Sequence, residues 1–200
     1  MTAPGGHPGP PPDLPTRTPL LKAISGPWIR FHNVDPAPIH FSRGGVSRFN
    51  DSADDFGVLY VAEDFCGAFI ETFGRRLDVR SVTSSSLQST GVAEVSARRP
   101  LKLVDLASAG GAARLSADAR LMSGDIGVSQ AWSRALWDHP IGADGLYYRL
   151  RHDPARCGCA IFDRARKALT VRSLGNAWRP DHRRDLTTAL DMFQFGLIVE

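Results

Sequence analysis

Apolar and polar residues change their period along this chain, and each change marks an element. Trp28, Ile29 and Phe31 around Arg30 predict a first strand. The polar run 40–57, rich in glycine and aspartate, predicts a long loop. Val58 to Ala62 read as a strand, and Asp64 stands where a helix needs an N-cap, because its carboxylate can accept an otherwise unpaired N–H of the first turn. The helix that follows holds Phe65, Phe69, Ile70 and Phe73, with one carboxylate, Glu71, among them. The serine-rich stretch 75–91 suggests an irregular connection. Stretches 92–97 and 101–106 alternate or run apolar as strands. Stretches 113–124 and 129–139 carry apolar residues at helical spacing, among them Leu115, Ala119 and Met122, then Ala131, Ala135 and Leu136. Strands return at 144–150, 158–163 and 168–173. A last helix over 182–194 has Asp181 as a candidate cap and Leu186, Ala189, Leu190 and Phe193 on its inner face, and 195–200 suggests a closing strand.

Strands and helices interleave here without the regular alternation of a doubly wound sheet, so the expectation is a single mixed α/β domain of the α+β kind over residues 26–200. Residues 1 to about 25 hold seven of the fourteen prolines and read as a flexible, disordered tail. Two hundred residues suffice for one core, and 42% hydrophobic with 22% charged residues is ordinary for a globular protein. No apolar run approaches the roughly 20 residues that cross a bilayer, and the start lacks an apolar leader core, so the cytoplasm is the expected location.

Charge and cysteines refine this picture. The net charge of +3 is uneven: residues 149–185 carry ten Lys/Arg against four Asp. Such a surplus suits an anionic partner, whether phosphate, nucleotide or nucleic acid, and equally suits arginine-bearing strand edges in water. Cys157 and Cys159 flank one glycine, with no second ligand pair at a zinc spacing, so half-buried strand cysteines are expected rather than a metal site.

Three features could carry chemistry. On its helix Glu71 shares a face with Gly67, Ala68 and Arg75; it either faces a ligand or is an exposed acid paired with Arg75. The interior glycine costs about 1 kcal/mol relative to alanine, which close approach of another group would offset. The loop "SRGGVSRFN" offers Arg43, two glycines and Arg48, a phosphate-compatible set that fits neither the P-loop nor the dinucleotide fingerprint. Arg30 lies inside an apolar strand and must be paired or face a cleft, since burying it alone is very costly. Tyr60, mid-strand, either joins that cleft or fills the core. No nucleophile elbow and no H-E-x-x-H array is present, which leaves serine hydrolases and metalloproteases without support.

Taken in order, Arg30 in "WIRFH", Arg48 in "GGVSRFND", Tyr60 in "VLYVAED", Glu71 in "CGAFIETF" and the later "DGLYYRLRHDPARCGCAIFDRA" resemble the RES domain, a family of bacterial toxin–antitoxin toxins. The resemblance spans about residues 26–175. It implies a compact fold similar to ADP-ribosyltransferases and an activity that destroys NAD by hydrolysis or phosphorolysis of the nicotinamide–ribose bond, with inorganic phosphate as a possible co-substrate and no metal. Glu71, Tyr60 and Arg30 would form the catalytic group. Arg30, Arg48 and Tyr60 would bind the dinucleotide, helped by Arg43 and Arg151. The implied partner is a helix-turn-helix antitoxin that assembles with the toxin into an oligomer and alone contacts DNA. The family serine falls at Leu150, which has no hydroxyl, so either another serine substitutes, or the serine's role is dispensable, or the activity is reduced. Two other readings are transfer of ADP-ribose to a protein target and a weakened RES domain serving as a binding module.

Overall fold

The computed structural model describes residues 7–33 and 37–200. Its centre is an eight-stranded sheet. In chain order the strands are β1 (Leu21–Ile24), β2 (Trp28–Asn33), β3 (Val58–Ala62), β5 (Thr90–Ala97), β6 (Leu101–Asp105), β7 (Gly145–Arg149), β8 (Cys157–Phe162) and β9 (Leu169–Asn176). The spatial order is β1-β6-β7-β8-β3-β2-β5-β9, antiparallel except for the β6–β7 pair. Against it pack α1 (Phe65–Phe73), α4 (Ile126–Trp137) and α5 (Arg183–Phe193), with short helices α2 (Ser84–Ser89) and α3 (Arg120–Ser123) in the connections. A separate two-stranded parallel ladder joins β4 (Ser81–Thr83) to β10 (Gly196–Ile198).

The period-2 rule sorts the central strands between two cores. Val58, Ala62, Leu146, Tyr148, Leu150, Ala160 and Phe162 face one side, beneath Trp132 and Leu136 of α4. Leu59, Val61, Tyr147, Cys159 and Ile161 face the other, with Trp28, Phe41 and Leu103. Cys159 is buried and Cys157 half-buried, as strand cysteines. A third core binds α1 to α5: Phe65, Phe69 and Ile70 meet Leu186, Ala189 and Phe195. Complete burial of a ring such as Phe69 contributes about 1.5–3 kcal/mol.

Several local expectations need correcting. Of the stretch 1–25, residues 7–25 are docked on the domain rather than free, while residues 1–6 lie outside the described residues. β1 pairs with β6 from Leu21↔Val104 to Ile24↔Leu101, and Leu14 is buried. Proline-rich backbone has few donors, and here the domain's own side chains supply them: Trp132 Nε1 donates to the Pro8 carbonyl (2.9 Å), and the His139 ring reaches the carbonyls of Leu14 and Arg17. The serine-rich connection contains β4 and α2, the latter capped by Thr83 Oγ1, which accepts from the Ser86 N–H at 3.1 Å. The helix expected over 113–124 is split at Ser116, whose φ of 61° is left-handed, and restarts where the Asp118 carboxylate accepts from the Arg120 N–H. Asp181 does not cap α5; it sits in the 3-10 turn Pro180–His182, and the cap position falls on His182. Among the described residues no helix is long and apolar enough to cross a membrane.

Candidate active site

A cleft of about 750 Å³ opens on the α1 side of the sheet, within the roughly 300–1,000 Å³ usual for small-molecule sites. Its walls are the 42–49 loop, the middle of β3, the outer face of α1 and the segment 148–152 that leaves β7. Asp64 fixes the start of α1 by accepting from the Gly67 N–H at 2.7 Å, as the sequence suggested. Two turns later the helix places Glu71, half-buried, on the cleft wall, where Oε1 accepts from the His152 N–H at 3.2 Å. Glu71 is the only acid among the described residues that line the cleft. Gly67 is where β7 approaches the helix: a Cβ there would stand 3.0 Å from Leu150 Cδ1 and 3.1 Å from Ala62 Cβ. The interior glycine is therefore explained by this close packing.

Five arginines line the same cleft: Arg30, Arg48, Arg75, Arg80 and Arg151. None has a carboxylate within ion-pair distance among the described residues. Arg30 donates from Nη1 to the Tyr60 carbonyl (2.7 Å) and from Nη2 to the His40 carbonyl (3.4 Å), while its buried Nε has no partner. Burial without a counter-charge pulls the Arg30 pKa down to about 10. Arg48 Nη1 donates to the Gly124 carbonyl and to Ser129 Oγ, both at 2.9 Å. Burial lowers its pKa too, and the neighbouring charge of Arg151 adds to the effect. Guanidinium groups held by neutral acceptors alone are short of negative charge, and a bound anion would supply it.

Two tyrosines, on β3 and β7 with β8 between them, face the cleft. The Tyr60 hydroxyl is fully engaged: it accepts from the Phe49 N–H (2.9 Å) and donates to Asn50 Oδ1 (3.0 Å). It thereby ties the Arg48 loop to β3. Asn50 completes this tie, donating from Nδ2 to Ser42 Oγ and to the carbonyls of Arg43 and Gly44. From α4, Gln130 donates to the carbonyls of Gly45 and Ser47, and Ser133 donates to that of Phe49. Tyr148, on β7, sits edge-on to Phe49 with ring centroids 5.0 Å apart. Burial, with Glu71 next, pushes its phenol well above the ordinary range, so it remains protonated. Burial also lowers the His152 imidazole, although Glu71 opposes the shift.

Of the residues singled out from sequence, the fold therefore gathers Arg30, Arg48, Tyr60, Glu71 and Arg151 around one cavity. Arg43 lies apart: its guanidinium donates to the Asp54 carbonyl and pairs with Asp163 at 2.7 Å, so its charge is already satisfied away from the cleft. Sequence reasoning missed Tyr148 and Arg80, whereas His152, next to Arg151, lines the cleft where a phosphate-binding role was expected for it. The alternation of Leu146, Tyr148 and Leu150 could have put Tyr148 on the Glu71 side, given the sheet register. Leu150, at the position of the family serine, is a buried cleft residue packed against Gly67 and Gly158. Among the described residues no cluster of three His, Cys, Asp or Glu side chains could hold a metal ion.

The chain belongs to the RES domain family, whose model matches residues 27–183. Among individual proteins, the chain is 36% identical over 116 residues to the probable toxin y4kH of Sinorhizobium fredii, covering 57% of this chain and 87% of that one. It shares its fold with a chain of the M. tuberculosis MbcT–MbcA toxin–antitoxin complex, at a TM-score of 0.58 and 14% identity, covering 76% of this chain and 87% of that one.

Proposed function

We propose that this protein is the toxin of a toxin–antitoxin pair and that it degrades NAD by cleaving the nicotinamide–ribose bond. The observation that carries the proposal is the pairing of Glu71 with uncompensated arginines in one cleft. The pyrophosphate would neutralise Arg30 and Arg48, with Arg151 at the rim, and the nicotinamide ribose would lie against Glu71. As the C1′–N bond breaks, its electron pair passes to the nicotinamide nitrogen, which leaves neutral and needs no strong acid. Positive charge then builds on the ribose, and a carboxylate fixed in a partly apolar wall stabilises it. A water or phosphate oxygen forms the new C1′–O bond; when water attacks, its proton passes to solvent. Tyr60 acts at one remove, by holding the loop that carries Arg48.

The same reading supplies the biology: a cytoplasmic enzyme, restrained by a helix-turn-helix antitoxin in an oligomeric complex, with DNA contacted through the antitoxin. The test is incubation of the purified chain with NAD, with and without phosphate, following nicotinamide release. Cleavage by wild type and its loss in Glu71→Ala are expected. Equal NAD decay in both would end the proposal.

A further inference from the structure

The cleft contains two phenols, and they are in opposite states. The Tyr60 oxygen has a donor and an acceptor from its own chain. The Tyr148 oxygen has no hydrogen-bond partner among the described residues, yet it is not sealed from the cleft, for among those residues the only buried side-chain polar atom without a partner is Arg30 Nε. The rest of Tyr148 is fixed. Its backbone is in the β7–β8 ladder opposite Gly158, its ring leans on Phe49, and its residue surface is 8% exposed. A rigid ring that ends in an unused hydroxyl, beside Glu71 and Arg48, is preorganised for a ligand rather than for the fold.

Position adds a second argument. Tyr148 and Leu150 are two apart on one strand and its exit, so both side chains point to the same side. Leu150 Cδ1 would lie 3.0 Å from a Cβ at Gly67 and Cδ2 2.8 Å from one at Gly158, so this side chain fills the space between helix and strand. It offers substrate only carbon. We propose that Tyr148 is a substrate-contacting residue whose hydroxyl hydrogen-bonds the nicotinamide ribose beside Glu71, supplying on this wall the hydroxyl that Leu150 lacks. This inference rests on the NAD reading above. It moves the substrate contact from Tyr60, where the sequence suggested it, to Tyr148.

Tyr148→Phe deletes one oxygen that bonds nothing in the protein, so the melting temperature should stay within about 1 °C of wild type. Tyr60→Phe, which strands the Phe49 N–H and Asn50 Oδ1, should lower it by several degrees, about 2–4 °C per kcal/mol lost. On the full chain, Tyr148→Phe is expected to lower kcat/KM for NAD about ten- to hundredfold and to weaken ADP-ribose binding, measured by calorimetry, several-fold. If wild type cleaves NAD and Tyr148→Phe matches it in both rate and ADP-ribose affinity, the Tyr148 contact is overturned while the NAD reading stands. If wild type binds ADP-ribose without cleaving NAD and Tyr148→Phe weakens that binding, the contact stands and the cleavage reading falls. If wild type neither cleaves NAD nor binds ADP-ribose, both fall.

Discussion

Arginines in two regions of this molecule are treated in opposite ways. Away from the cleft, Arg99 grips Asp144 with two hydrogen bonds of 2.7 and 2.8 Å, Arg172 pairs with Glu94, and Arg134 reaches Asp51, Asp55 and Asp138. Inside it, Arg30 and Arg48 are more buried, yet among the described residues they meet only carbonyls and a hydroxyl. A fold that can pair its arginines elsewhere and does not do so here has left positive potential where it is least screened. The first set holds the protein together; the second is available to something that binds.

That contrast can be broken by experiment, beginning with the acid that faces the unpaired set. Glu71→Gln keeps the shape and the bond from the His152 N–H but removes the charge, and NAD cleavage should fall about 10²–10³-fold with little change in thermal stability. Next come the arginines. Arg48→Ala should raise KM for NAD about ten- to hundredfold, as loss of a charged hydrogen bond to phosphate would. Arg99→Ala should leave KM unchanged and instead lower the melting temperature by about 2–4 °C, as expected for about 1 kcal/mol. A KM effect of equal size in both would erase the distinction.

Smaller effects follow from solvent and protons. Raising ionic strength from 0.05 to 0.5 M should increase KM several-fold through the exposed Arg151, since screening shortens the reach of surface charge. Calorimetric stability of Arg99→Ala, in contrast, should differ from wild type in a pH-dependent way. Burial pushes the Asp144 carboxyl up, but the Arg99 fork and the Lys102 N–H outweigh it, and the net shift is downward. A depressed folded-state pKa stabilises the protein above the unfolded value of 3.8 and loses that contribution as pH falls through the folded value. The gap between variant and wild type should therefore be full at pH 5–7 and close in strong acid.

What the sequence disclosed and what it concealed have separate physical causes. Strands such as Val58–Ala62 and the helix carrying Glu71 were legible because period and capping are local. Glu71 stood out because an acid among phenylalanines requires an explanation. The 42–50 loop was legible only as polar: its shape is set by Asn50, Gln130 and Ser133, and the last two come from a helix some eighty residues away. Arg43 and Arg48 look equivalent in "SRGGVSRFN", and only the fold reveals that Asp163 claims the first. The two tyrosines likewise differ only through register, and the docking of residues 7–25 depends on Trp132 and His139, which no N-terminal pattern announces.

The wall formed by residues 42–50 is fastened to its neighbours mainly by side chains, apart from one short bridge between Ser42 and Val58. Glu71, opposite, is set in a regular helix and tied to the backbone at His152. Amide protons in the loop should thus exchange with solvent well before those of α1, because each fastening breaks singly while a helix resists as a unit. Admission and release of a bulky molecule would be timed by that softer wall.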